Sequence, residues 1–135
     1  MRARILLIHE GDESGRRTAA VLAAGDYEVR SSQATVDAIA LACEFKPNLI
    51  VLDLDGGGTW GIQVARTICW VHGIPLLVVT DLRSTDDTGR VGEEFADDPH
   101  VADVLRKPVP GLWVLRAADE ALEGRTARPR LRVRV

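Results

Sequence analysis

Short unbroken apolar runs, separated by stretches with helical spacing, constrain this chain's fold more than any other feature. The purest run is Leu49-Ile50-Val51-Leu52, closed by a single acid, Asp53, and followed by a glycine-rich loop. Runs of this kind suit strands buried on both faces, as in parallel sheets whose crossover connections are helices. Five strands are expected, at about residues 4–8, 27–31, 49–54, 76–80 and 103–106. Between them, Val36, Ile39, Ala40 and Cys43 follow the i, i+3, i+4, i+7 spacing of a helix face, with Thr35 as N-cap and Pro47 as the stop. Ile62, Ala65 and Cys69 mark a second helix, and Leu115, Ala118 and Leu122 a last one that begins near Pro110. Residues 81–100 offer few apolar anchors, and only a short helix around 89–95 is expected there. The fold class that follows is α/β, a doubly wound five-stranded parallel sheet.

At 135 residues, with 46% hydrophobic and 27% charged side chains, the chain is long enough for one domain with a two-sided core. No apolar stretch is long enough to cross a bilayer, and the apolar segment after Met1 is too short for a secretory signal, so a cytoplasmic location is the default expectation. Cys43 and Cys69 have no cysteine or histidine at metal-ligand spacing and are expected to be small buried thiols. Residues 125–135 carry five arginines and no acid, which leaves 12 basic and 20 acidic residues, a net of −8, in residues 1–124. The expected organisation is a folded unit over 1–124 and a basic tail or linker without structure over 125–135. Arg130, Arg132 and Arg134 alternate with Leu131, Val133 and Val135, a period that also suits an edge strand. Arginines without a reader domain or stacking aromatics do not argue for nucleic acid as a partner.

Four chemistry-bearing residues stand at the ends of successive apolar runs: Glu10, Asp53, Thr80 and Lys107. Open α/β sheets bind their ligands at the carboxyl ends of the strands. Two acids, a hydroxyl and an amine gathered there suggest a metal-dependent phosphoryl site.

In this order, within a chain of alternating β and α segments, the four residues resemble the receiver domain of two-component response regulators, over about residues 2–123. The resemblance implies a CheY-like, flavodoxin-like fold with Asp53 as phosphoacceptor, Glu10 as the second acid of an acidic pair, Thr80 as switch hydroxyl and Lys107, followed by Pro108, as the lysine of the last strand. Gly61 matches a glycine usual after the phosphoacceptor loop. Mg²⁺ would be held by Glu10, Asp53 and the backbone carbonyl of Asp55, since phosphoryl transfer to a carboxylate brings two anions together and oxygen ligands suit that ion. Asp53 would be the nucleophile, with Lys107 donating to phosphoryl oxygens and Thr80 reporting the modification. The implied donor is a histidine kinase, a phosphotransfer protein or a small phosphodonor, and the implied reader a downstream effector protein. The chain would be a signalling domain and not an enzyme in the ordinary sense, beyond catalysing its own phosphorylation and dephosphorylation. A homodimer stays open.

Three positions depart from the family pattern. His9 stands where the first acid of the pair is usual, which predicts weaker, more pH-dependent Mg²⁺ binding or else a histidine bonded only within its loop. Val104 replaces the usual aromatic that couples to the switch hydroxyl. Asp81 follows Thr80 where a small residue is preferred, and with Asp55 it adds negative charge near Asp53. These departures keep a second function in play, a pseudo-receiver that acts as a phosphorylation-independent interaction module. Gly56-Gly57-Gly58-Thr59-Trp60-Gly61 also satisfies G-x-G-x-x-G, but a nucleotide-binding domain is disfavoured because the motif follows the third strand and Asp53 and Asp55 would face the pyrophosphate.

Overall fold

The computed structural model describes residues 2–55, 60–81, 98–124 and 133–134. In chain order these form β1 (Arg4–His9), α1 (Asp12–Ala24), β2 (Glu28–Gln33), α2 (Val36–Phe45), β3 (Leu49–Leu54), α3 (Trp60–His72), β4 (Leu76–Thr80), β5 (Val101–Arg106), α4 (Gly111–Leu122) and β6 (Val133–Arg134). All strand pairs are parallel, in the order β2-β1-β3-β4-β5-β6. The expected doubly wound sheet is therefore the observed one, with the third and fourth strands at their expected bounds and a short sixth strand added from the basic tail. Residues 125–132 and 135 of that tail lie outside the described residues, as do the short helix expected around 89–95 and the glycines of the loop at 56–58.

Alternation along the buried strands builds two cores. Leu6, Ile8, Ile50, Leu52 and Val78 face α2 and α3, whereas Ile5, Leu7, Val51, Leu77 and Val79 face α1 and α4. β3 and β4 are buried at every position, as expected of central strands covered on both faces. β2 is largely polar and exposed, which suits an edge. β1 runs into α1 on one face and β3 runs towards α3 on the other. The crevice of the sheet thus opens between the carboxyl ends of β1 and β3, where Glu10 and Asp53 stand.

Local signals explain the helix ends. The Thr35 hydroxyl accepts from Asp37 N at 3.2 Å as the N-cap of α2, and Lys46 ends that helix in the left-handed region just before Pro47. Gly73, at φ +66°, closes α3.

The helix faces differ from expectation in two places. In α2 the buried side chains are Ala38, Ala42 and Phe45, while Val36, Ala40 and Cys43 are exposed. This helix is apolar nearly all round, so spacing alone does not choose its inner face. In α4 the buried stripe is Val114, Ala117, Ala118 and Ala121, and Leu115 and Leu122 are only partly covered, a shift of one position from the expected stripe. The expected face of α3 is buried as anticipated, Cys69 included. α1 has no counterpart among the helices expected from spacing, because Ser14, Gly15 and Thr18 interrupt its apolar pattern.

Only one of the two thiols is therefore a core residue. Burial pushes the Cys69 thiol well above its ordinary value, whereas Cys43 lies open on α2. Under native conditions a thiol-alkylating reagent is expected to add once, at Cys43, and to reach Cys69 only after denaturation. Rapid native modification of both, read by peptide mass mapping, would contradict the placement of α3.

Candidate functional site

Asp53, the last residue but one of β3, is fully inaccessible to solvent, so its charge must be met by protein groups. Lys107, just beyond β5, meets it with Nζ 2.5 Å from Asp53 Oδ1. Two hydroxyls of α1 complete the shell. Ser14 Oγ lies 3.0 Å from both carboxylate oxygens, and Thr18 Oγ1 donates to Oδ2 at 2.7 Å. Ser14 and Thr18 are four residues apart, and a helix places such residues one above the other on a single face. Nζ of Lys107 also donates to Ser14 Oγ at 2.8 Å and to the carbonyl of Leu54 at 3.0 Å. An ammonium has three donors. All three are committed.

The other strand ends supply a second, more acidic group of side chains. Glu10, half-buried after β1, donates its N–H to Asp53 O at 3.2 Å and accepts from Asp55 N at 3.1 Å through Oε1. Gly61 at the start of α3 leaves room for it, since a Cβ there would come within 3.3 Å of Glu10 Oε2. Burial raises the Glu10 carboxyl above its ordinary value, opposed by the Asp55 N–H and reinforced by the charges of Asp55, Asp81 and Asp53. Asp55 is raised chiefly by a hydrogen bond to Asp81, and further by the charge of Asp81. Thr80 is buried at the end of β4, and its carbonyl accepts from Lys107 N at 2.7 Å.

All five residues expected at the site, Glu10, Asp53, Asp55, Thr80 and Lys107, thus gather at the carboxyl edge of the sheet. Ser14 and Thr18 escape the sequence reading because two hydroxyls on a polar helix look like a solvated face. Their only signal is the i, i+4 spacing just after Glu10. The positions that depart from the family pattern also have places. His9 lies against α1, where a Cβ on Gly15 would come within 2.6 Å of His9 Cγ, and its Nδ1 stands 3.9 Å from Asp12 Oδ1. Val104 is fully buried in the α2 and α3 core.

As arranged, these groups do not make a site for Mg²⁺. Oxygen donors of the right chemistry are present, but both Asp53 oxygens are capped from α1 and Lys107, and Glu10 Oε1 is held by the Asp55 amide. Among the described residues no three His, Cys, Asp or Glu side chains converge to hold a metal. Beside the hydroxyl pair lies a cavity of about 790 Å³, walled by Ser14, Thr18, Arg17, Lys107, Val109 and Val114 among others.

With this geometry in place, comparison with solved structures is decisive for the fold. The receiver domain of a modulated diguanylate cyclase from Desulfovibrio desulfuricans G20 superposes with a TM-score of 0.73 at 18% identity, over 93% of this chain and 97% of that one. The chain has the CheY-like receiver fold. A CheY-like receiver domain from Methanospirillum hungatei JF-1 matches with a TM-score of 0.68 at 21% identity, over 93% of this chain and 97% of that one. CheY4 of Vibrio cholerae matches at 0.71 and 17%, over 90% and 99%. In sequence, the chain is 26% identical over 125 residues to Protein PilH of Pseudomonas aeruginosa, covering 90% of this chain and 99% of PilH. No family model matches. Among the described residues, no helix of this receiver fold is long and apolar enough to cross a membrane.

The raised carboxyl of Glu10 sets a sign for stability. A folded-state pKa above the unfolded one means that the native state binds the proton more tightly, so the contribution is complete below the unfolded pKa and lost as pH rises through the folded value. Glu10→Gln keeps an oxygen acceptor for Asp55 N and removes the charge. It is expected to raise stability at pH 7 by roughly 0.5 kcal/mol, allowing for solvent screening of a half-buried group. That gain should vanish at pH 4 or below, where Glu10 is protonated without substitution. Urea unfolding of both proteins at the two pH values checks it, and a loss of stability at pH 7 would contradict it.

Proposed function

We propose that the chain is a response-regulator receiver of two-component signalling, with Asp53 as its phosphoryl acceptor. The observation that carries this reading is the pairing of buried Asp53 with the half-buried Lys107 at the carboxyl edge of a receiver sheet, beside Glu10 and Thr80. The likeness to PilH, a CheY-like response regulator, supports it as well. In the transfer step an Asp53 oxygen forms the new P–O bond as the P–N bond of a phosphohistidine, or the corresponding bond of a small phosphodonor, breaks and its electron pair leaves with the donor. Lys107 then neutralises phosphoryl oxygens, and Thr80, one residue past the register partner of Asp53 on β4, is the hydroxyl that reports the change. A histidine kinase or phosphotransfer protein supplies the group, an effector protein reads it, and the setting is the cytoplasm. Residues 82–97, which join β4 to β5 and bear on any homodimer, lie outside the described residues. The Mg²⁺ implied by the family resemblance enters this reading only with Asp53 released from α1.

One observation favours a second reading. Every oxygen of Asp53 and every proton of the Lys107 ammonium is already engaged, which suits a phosphorylation-independent interaction module.

Intact-mass analysis after long incubation with a small phosphodonor, with and without Mg²⁺, separates the two. The receiver reading expects a single phosphoryl adduct that forms slowly, requires Mg²⁺ and is lost in Asp53→Asn. No adduct in folded wild type, beside a control receiver that labels fully, would favour the interaction module.

A further inference from the structure

We propose that Ser14 and Thr18 form a hydroxyl latch that keeps Asp53 closed to cations and phosphodonors until α1 releases it. The inference deepens the receiver reading given above and rests on it.

A carboxylate about to attack phosphorus needs one oxygen free to approach it and the other free for a positive charge. Here neither is free. Oδ2 accepts the Thr18 hydroxyl, Oδ1 accepts the Lys107 ammonium, and Ser14 Oγ sits 3.0 Å from each. Ser14 also accepts from Lys107, which ties the amine and the acid into one ring through α1. Every donor in the cage is used, because the remaining Lys107 proton goes to Leu54 O, while three donor protons share the lone pairs of the carboxylate. Hydrogen bonds to a buried ionised group are among the stronger ones, so an incoming cation must displace them before it gains anything from Asp53.

Apolar side chains at positions 14 and 18 would leave Asp53 in contact with Lys107 alone and able to turn towards Glu10. The two hydroxyls are therefore positioning residues, acting on the phosphoryl group only through Asp53. α1 is lightly anchored: its N-cap residue Gly11 provides no side-chain hydrogen bond, and apart from Gly15 the helix buries only Leu22. One wall of the neighbouring cavity is formed by the same two residues, so a partner seated there would touch the latch directly.

The test compares wild type, Ser14→Ala/Thr18→Val, each single variant, and Thr18→Ser, which keeps the hydroxyl. Mg²⁺ affinity is measured by isothermal titration calorimetry, and adduct formation with a small phosphodonor by intact mass. Losing the hydroxyls is expected to tighten Mg²⁺ binding about tenfold and to speed labelling by a similar factor, the scale of a lost charge-assisted hydrogen bond. Each single variant should move the same way by less, Thr18→Ser should match wild type, and adding Asp53→Asn to the double variant should abolish the gain. Should the double variant fail to fold, the single variants carry the test. Unchanged or weaker Mg²⁺ affinity in the hydroxyl-free variants overturns the latch, whatever the labelling. Tighter Mg²⁺ binding with no adduct in any protein keeps the latch and removes the phosphoacceptor reading. Equal affinities with equal labelling rates remove the latch and keep that reading.

Discussion

A negative charge with no access to water stands one residue before the end of β3, and the arrangement around it follows from the need to satisfy it. Asp53 is reached by an amine from the far side of β4, by two hydroxyls from α1 and by none of the neighbouring acids. Burying a carboxylate is tolerable only with a partner charge and hydrogen bonds for its remaining lone pairs. The parallel order β1-β3-β4-β5 is what allows this, because it brings the carboxyl ends of four strands to one edge, and doubly wound connectivity sets α1 on the Lys107 side of that edge.

The site therefore has two halves of opposite character. On one side Asp53, Lys107, Ser14 and Thr18 are mutually satisfied. On the other, Glu10 is raised by burial first and by the charges of Asp55, Asp81 and Asp53 after it, and Asp55 is raised chiefly by its hydrogen bond to Asp81. A cation would relieve the second half while disrupting the first. His9 itself packs against α1 at Gly15, a position where any larger residue would collide with the ring.

Strands and strand ends were legible in the sequence because burial on both faces removes alternation and leaves unbroken apolar runs. Asp53, Thr80 and Lys107 each terminate such a run, and that is why their convergence was visible before any geometry. Helix faces were less legible. α2 carries Val36, Ile39, Ala40 and Cys43 in a pattern as regular as that of the residues it buries, Ala38, Ala42 and Phe45, and only the sheet beneath it chooses between them. α4 is offset by one residue for the same reason. Ser14 and Thr18 were illegible on different grounds, since a hydroxyl on a polar helix carries no mark of what it faces. The pairing of Val133–Arg134 with β5 belongs to a period-two pattern that suited an edge strand, although the same composition also suited a linker.

The central claim is that Asp53 and Lys107 form one coupled unit at the sheet edge. A double-mutant cycle in urea unfolding, built from Asp53→Asn, Lys107→Met and the two together, tests it most directly. A close charge pair with one buried and one half-buried partner predicts a coupling of about 2 kcal/mol, with either single substitution costly and the second much less so once the first is made. Additive single effects, with coupling near zero, would contradict the account, because Asp53 would then be held by something other than Lys107.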